Sequence, residues 1–165
     1  MSPESSPTNL PALGAHEREE VGSQLQATLV ELIDLSLFGK QLHWSVVGRD
    51  FRSLHLQLDE LIDFWREASD TVAERAVAIG HIPNGQAAAV ADDSQITPIE
   101  PAPTEDAEVV RILTHRLGEV CERVRERMER LAELDAASED VVVEVLRELE
   151  KQLWMVRAQL PHGAA

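Results

Sequence analysis

Two pairs of possible metal ligands lie on one stretch of helix-forming sequence, residues 51–79. Asp59 follows His55 at the i,i+4 spacing, and Glu74 follows Asp70 in the same way. On an α-helix this step turns the side chain by only about 40°, so the two members of each pair point in the same direction. Each pair can therefore supply two ligands to one cation.

The two pairs cannot share one ion within one helix. Asp70 follows Asp59 by eleven residues, which is close to three turns and about 16 Å along the axis at ~1.5 Å per residue. All four groups nevertheless fall within a stripe roughly 100° wide. Either each pair recruits ligands from elsewhere, or a second copy of the helix runs antiparallel past the first, placing 55 opposite 74 and 59 opposite 70.

An antiparallel pair of copies fixes the place of its two-fold axis. Both pairings have their midpoint between residues 64 and 65, so Phe64 and Trp65 are predicted to lie at or beside the axis. Large aromatic side chains there can pack against their symmetry mates. A charged substitution at Trp65 is then expected to abolish assembly together with the shared site.

His43 adds a second imidazole to this set. It lies in the last turn of the preceding predicted helix, so an antiparallel hairpin brings it toward His55. A histidine at a helix end is also an ordinary hydrogen-bonded side chain, and Asp63 and Glu67 between the pairs suit a solvated face equally well. Imidazole and carboxylate together suit Fe, Zn, Co or Mn, and affinity alone does not choose among them.

Composition limits the possible partners. Thirty acidic residues against fifteen basic ones give a formal charge of -15, which attracts cations and opposes docking on phosphate or anionic lipid. The single cysteine, Cys121, cannot form an intramolecular disulfide. The N-terminus lacks the basic stretch and apolar run of a secretion signal, and no segment has the apolar length of a membrane span. A cytoplasmic protein is expected.

Helical periodicity organises the rest of the chain into an all-α fold. We expect a flexible arm over 1–20, one four-helix domain over 21–160, and a short tail over 161–165. The predicted helices cover 21–47, 51–79 after an Asp50 cap, 104–131, and a segment from a Ser138 cap to 160, with a short extra helix within 86–90. The long central connection predicts an up-down-down-up bundle of the ferritin-like kind.

Missing motifs narrow the chemistry further. The sequence has no Glu-x-x-His, on which the di-iron site inside a ferritin-like bundle depends. It also lacks a Gly-rich phosphate loop, Cys-x-x-Cys and Gly-x-Ser-x-Gly, so nucleotide, structural zinc and serine-hydrolase functions find no support.

The run LFGKQLHWSVVGRDFRSLHLQLDELIDFWREASDTVAERAVAIG resembles the signature of the Dps family, the miniferritins named as DNA-binding proteins from starved cells. RELEKQLWMVRAQL gives a second match near the end of the chain. The positions that match in the first run are His43-Trp44, Val47-Gly48, Phe51, Leu54-His55, Asp59-Glu60, Asp70 and Ala73-Glu74-Arg75.

The resemblance implies a four-helix subunit assembled from two-fold dimers into a hollow homododecamer. It also implies a ferroxidase that oxidises ferrous iron with hydrogen peroxide or dioxygen and stores ferric oxide inside. The implied ligands are His43, His55 and Asp59 from one subunit and Asp70 and Glu74 from its partner. Zinc suits the same ligands and is a possible competitor. Trp44 beside the site is implied either to intercept stray oxidising equivalents or to pack at the interface.

Acids near the predicted last turn resemble those that line the three-fold iron entry pores of such shells. They are Glu133, Asp135, Glu139 and Asp140. Such a cluster would draw cations toward an opening, but turn solvation and helix capping account for each residue equally well.

The terminal segments depart from the family's DNA-binding members, which generally carry lysine-rich arms. Residues 1–20 hold one arginine and four glutamates, and the final PHGAA holds no lysine or arginine. Few counterions can therefore be released from DNA. An iron-oxidising and iron-storing shell is the first expectation. The alternatives are a nucleoid-associated DNA-compacting protein with little ferroxidase activity and a non-catalytic bundle.

Overall fold

Leucine-rich helical spacing in the first half of the chain produces two long antiparallel helices. The computed structural model describes Leu10, Pro11 and residues 13–160. Helix α1 runs Ala15–Ser45, a two-residue strand β1 follows at Val46–Val47, and helix α2 runs Phe51–Ala78. Gly48 in the connecting turn has φ of 122°, a conformation that a side chain would strain.

Helix α1 starts earlier than predicted, at residue 15 rather than 21. Glu17 Oε2 accepts a hydrogen bond from the Gly14 backbone N–H at 2.7 Å, which stabilises this end. Residues 15–20 are mainly exposed, so no apolar spacing marks them as helical. The predicted arm is therefore wrong over these six residues. Most of its remainder, 1–9 and 12, and the predicted tail 161–165 lie outside the described residues.

The second half of the chain forms a second hairpin. A short helix α3 (Ala87–Asp93) and a two-residue strand β2 (Thr104–Glu105) lead into helix α4 (Asp106–Ala132), and helix α5 (Ala136–Arg157) follows. The predicted short helix is confirmed, although it begins and ends later. Ser138 was the wrong cap for α5, because Asp135 precedes the helix and its carboxylate accepts the Ser138 N–H at 3.1 Å.

The two hairpins pack with α1 beside α4 and α2 beside α5. Strands β1 and β2 pair in parallel, with Val46 opposite Thr104, so the end of α1 meets the start of α4. This confirms the up-down-down-up order of a ferritin-like bundle. Within the described range, the helices are each too short or too polar to cross a membrane.

Trp65 lies in the core of its own chain, so the prediction that it packs against its symmetry mate is wrong. Its side chain is 0% exposed, and its indole N–H donates to Gln152 Oε1 at 2.8 Å. Gly39 makes room for the ring, since a Cβ built there would lie 2.6 Å from the Trp65 side chain. Phe64 is half-buried and lines a cavity of about 190 Å³ between α2 and α5.

A buried ion cluster joins α1 of the first hairpin to α4 of the second. Glu31 of α1, 1% exposed, accepts hydrogen bonds from Arg123 and Arg127 of α4, the latter at 2.6 Å. Two guanidinium groups satisfy both carboxylate oxygens, as a charge removed from water requires. Cys121 is buried, and burial raises the pKa of its thiol to about 12.

Candidate metal centre

His43 and His55 meet across the α1–α2 hairpin. His43 lies two residues before the end of α1, and His55 lies in the second turn of α2. Their rings stack with centroids 3.6 Å apart and planes inclined by 24°. His43 Nδ1 lies 3.0 Å from the His55 carbonyl oxygen, and His55 Nδ1 lies 3.0 Å from the His43 carbonyl oxygen. The expectation that the hairpin brings both imidazoles together is confirmed.

These reciprocal hydrogen bonds decide which nitrogen is available. A carbonyl oxygen only accepts, so each Nδ1 must carry the proton and donate it. In a neutral imidazole the remaining lone pair then lies on Nε2, the atom that can bind a metal. Fixing the ring through a backbone carbonyl is a common way for proteins to orient metal-binding histidines. Nε2 is therefore the nitrogen that each neutral ring leaves free for a metal, while His43 Nδ1 also lies 3.4 Å from Asp59 Oδ1.

Asp59 completes a three-residue cluster. It lies one turn after His55, and one ligand atom from each of His43, His55 and Asp59 falls within 4.8 Å of the others. Lys40 of α1 donates a hydrogen bond to Asp59 Oδ1. The hydrogen bond from Lys40 lowers the pKa of Asp59 below the ordinary 3.8 and outweighs the opposing effect of burial. The carboxylate is therefore ionised at neutral pH and ready to bind a cation.

Asp70 and Glu74 lie outside this cluster. Both are exposed on α2, where they follow Asp59 by eleven and fifteen residues and so lie further along the helix. A single chain thus brings three of the five predicted ligands together and leaves two facing outward.

Trp44 follows His43 and is exposed over 72% of its surface. A large exposed indole on the residue after His43 suits either of the two predicted roles, since both a partner surface and a diffusible oxidant would reach it. Phe51 packs nearer the cluster, with its ring centroid 5.0 Å from that of His55.

The four predicted pore acids differ in how the chain uses them. Glu133 and Asp140 are exposed, and Glu139 is half-buried. Asp135 is engaged within the chain, where it binds Arg75 Nη2 at 2.7 Å and caps α5. Burial alone would raise the pKa of Asp135, but the hydrogen bonds from Ser138 and Arg75 together lower it. Capping accounts for the contacts that Asp135 makes within the chain, and the pore role stays a prediction for all four acids.

Sequence reasoning missed Lys40 as part of the site. Lys40 entered the sequence-based prediction only through the net charge. It precedes His43 by three residues, however, and therefore shares the same face of α1. An isolated lysine three residues from a predicted ligand, in a chain with only two lysines, is the signal that could have found it.

Comparison with known proteins agrees with this architecture. A profile of the ferritin-like domain matches residues 22–163. DNA protection during starvation protein 2 of Deinococcus radiodurans is 31% identical over 153 residues, which cover 93% of this chain but only 64% of that protein. The DNA protection during starvation protein of Mycolicibacterium smegmatis is 32% identical over 151 residues, covering 92% of this chain and 82% of that one. A solved structure of Mycobacterium smegmatis Dps, in a tetragonal form, superposes with a TM-score of 0.91 at 30% identity and covers 97% of each chain.

Together the fold and these matches define a ferritin-like helical bundle. Within that class, the chain belongs to the Dps family.

Proposed function

We propose that this protein oxidises ferrous iron at a site shared by two copies of the chain and stores the ferric product inside a twelve-subunit shell in the cytoplasm. The observation that carries the proposal is the prepared half-site of His43, His55 and Asp59. The same helix exposes Asp70 and Glu74, which an antiparallel copy would bring opposite that half-site. Such an arrangement is isologous, so each dimer has two equivalent sites.

The residues of this chain would favour the oxidised product. Three carboxylates from two chains surround the metal with negative charge, which stabilises a trivalent cation more than a divalent one. Two neutral Nε2 atoms complete the donor set, and these nitrogen and oxygen donors suit iron. Each ferrous ion loses one electron. One hydrogen peroxide accepts two electrons and two protons, its O–O bond breaks, and two waters form. Dioxygen is the alternative oxidant.

Ferrous titration of the purified protein with hydrogen peroxide tests the proposal. His43→Ala and His55→Ala are expected to lower the initial oxidation rate at least ~10-fold, since each removes a ligand rather than core volume. The exposed His115, which pairs with Glu119 on α4, gives the matched control His115→Ala and should leave the rate unchanged. Sizing must find all three variants assembled. Loss of assembly on removing either ligand histidine would make these residues structural.

Zinc provides an independent check. It has no redox chemistry, yet it binds the same imidazole and carboxylate donors. Excess zinc is therefore expected to suppress iron oxidation in the wild type. Unchanged initial rates in excess zinc would count against this site. Absence of iron uptake by the assembled protein without zinc would favour a non-catalytic bundle.

DNA binding is the second candidate, because the names of the two relatives refer to DNA protection during starvation. Protection does not require contact, since removal of ferrous iron and peroxide also spares DNA. The charge of -15 opposes contact. We expect no retardation of duplex DNA at physiological salt and neutral pH. Salt-sensitive retardation under those conditions would favour the nucleoid-compacting alternative.

A further inference from the structure

The turn between α1 and α2 sets the relation between the two imidazoles. His43 lies three residues before β1, and His55 lies five residues after Asp50, the residue that precedes α2. The rings stack at 3.6 Å, and each is bonded to the backbone of the opposite helix. A small change in the way the turn closes therefore changes the distance between the two Nε2 atoms.

A carboxylate from the other hairpin holds this turn. Asp106, the first residue of α4, accepts the Asp50 backbone N–H through Oδ2 at 2.8 Å. Its second oxygen, Oδ1, accepts the Ala107 backbone N–H at 2.7 Å. One side chain thus bonds the start of α2 and the start of α4.

Helix α2 has no cap of its own that could replace this contact. The Asp50 side chain makes no capping hydrogen bond, and the first turn of α2 contains no acid. A negative charge near a helix N-terminus interacts favourably with the helix dipole. Asp106 supplies an acceptor and adds its negative charge to that of Asp50, across a gap of 56 residues in sequence.

The backbone of the turn is shaped around the same carboxylate. A Cβ built at Gly48 would lie 2.6 Å from Asp106 Oδ2, and φ at Gly48 is 122°. The pairing of Val47 with Glu105 brings the two segments together immediately beside this contact. The turn therefore leaves room for the carboxylate and holds it in place.

We propose that Asp106 is a positioning residue for the metal centre: it contacts neither imidazole, and it sets their geometry by fixing the α1–α2 turn. This inference rests on the proposed function, because it assigns Asp106 to the same site. It predicts that metal affinity depends on a side chain from the opposite hairpin.

Cobalt(II) titration of the assembled protein, followed by visible absorption, tests this role without iron oxidation. Cobalt(II) has the charge of ferrous iron and accepts the same donors. Asp106→Ala is expected to weaken cobalt binding about 10-fold or more, the usual effect of losing a residue that orients ligands. Asp106→Asn keeps an acceptor oxygen and is expected to recover most of the affinity. Glu108→Ala, which removes an exposed acid two residues further along α4, should leave cobalt binding unchanged.

Asp106→Ser separates positioning from folding. The hydroxyl still offers an oxygen to the start of α4 but is one bond too short to hold Asp50 as well. We expect this variant to assemble like the wild type and to bind cobalt as weakly as Asp106→Ala. Wild-type cobalt affinity and spectrum in the folded Ser or Ala variant would overturn the proposal, even if thermal stability falls.

Metal-free crystal structures distinguish this failure from failure of the proposed function. If the wild type and His43→Ala bind cobalt equally, the proposed iron site is wrong. The Asp106→Ser structure then decides the positioning role by itself. An unchanged ring stack contradicts that role, and a separated ring stack supports it.

Discussion

The five candidate ligands form two groups that the chain treats differently. His43, His55 and Asp59 are held by hydrogen bonds within one chain, and their ligand atoms already lie within 4.8 Å of one another. Asp70 and Glu74 are exposed on the same helix, beyond that cluster. A cation that binds the clustered donors has only to displace Lys40 from Asp59, whereas Asp70 and Glu74 need further ligands from a second chain. On the proposed function, metal binding and subunit association are therefore linked, and each favours the other.

The two groups also differ in how their negative charges are balanced. Asp70 and Glu74 are like charges at i,i+4 on a helix, an arrangement that costs about 0.2–0.5 kcal/mol. A bridging cation removes that repulsion. In the first group Lys40 already supplies a positive charge to Asp59. The negative charge of Asp59 is thus balanced by a lysine of the same chain. The charges of Asp70 and Glu74 would be balanced by a bound cation.

Mixing the two kinds of half-site lesion should have the largest effect. A His43→Ala, His55→Ala chain and an Asp70→Ala, Glu74→Ala chain are each expected to oxidise iron near the background rate. Co-assembled in equal amounts, they should recover about a quarter of the wild-type rate, because random pairing in an isologous dimer leaves one site in four intact. Stopped-flow oxidation measurements after co-refolding check this result.

The control for that experiment mixes each mutant chain with itself under the same conditions. No recovery on co-assembly, with shells confirmed by sizing, would contradict a site shared between chains. It would leave the prepared half-site to act alone.

Replacement of Trp65 by alanine tests whether this side chain stabilises the core of its own chain. Trp65→Ala leaves a cavity in the core and an unpaired Gln152, and it is expected to cost about 3–5 kcal/mol in the free energy of unfolding. Phe64→Ala, on the neighbouring half-buried residue, should cost only about 1 kcal/mol. Denaturant unfolding of both variants measures the difference. Equal losses would contradict the contrast between the two positions.

Helix α2, which carries Asp70 and Glu74, is joined to the start of α5 by the ion pair between Arg75 and Asp135. Asp135→Asn weakens the ion pair with Arg75 and the cap of α5, and should cost about 1–2 kcal/mol at pH 7. The lowered pKa of Asp135 means that its contribution is complete above the ordinary value of 3.8 and is lost as pH falls below it. The difference between variant and wild type should therefore narrow on acidification to pH 3, as measured by thermal unfolding. Glu133→Gln is the matched control, and the same narrowing there would assign the effect to general charge.

Lys40 gives the smallest expected effect. Lys40→Met removes the ammonium that competes with a cation for Asp59, so zinc should bind about two- to fivefold more tightly, the ~0.5–1 kcal/mol of a partly exposed ion pair. Isothermal titration with zinc measures it. Lys151→Met, at the only other lysine, is the control because Lys151 pairs with Glu148 on α5. Weaker zinc binding in Lys40→Met would mean that this lysine orients Asp59 instead.

Sequence was sufficient for the helices whose buried faces repeat and whose ends have turn residues. Gly48 and Gly80 both have positive φ, and each directly follows a predicted helix, 21–47 and 51–79. The first turn of α1 was missed because its residues are mainly exposed and have no apolar spacing. The α5 cap was missed because Asp135 and Ser138 are both good cap residues, and the sequence alone does not show that the Asp135 carboxylate accepts the Ser138 N–H. Pairing of β1 with β2 depends on how the hairpins close, which local sequence does not specify.

The site was predictable as far as helical geometry reaches. Spacing located His43, His55 and Asp59 on facing helices, and the structure brings them together. The error at Trp65 has a clear origin: the midpoint of two ligand pairings fixes a height along α2 but not a direction around it. Trp65 shares the core-facing stripe with Leu58 and Ile62, and this stripe was readable in the sequence. Asp106 was beyond reach because its role depends on a contact between segments 56 residues apart.

The crossed hydrogen bonds of His43 and His55 make the hairpin a ready scaffold for redesign. Each ring is held by the backbone carbonyl of the opposite residue, not by its side chain. Replacement of one histidine by cysteine or aspartate therefore leaves the other ring with its hydrogen bond and tautomer unchanged. The two positions can be exchanged one at a time, so metal preference could be tuned from hard to soft ions on an unaltered backbone.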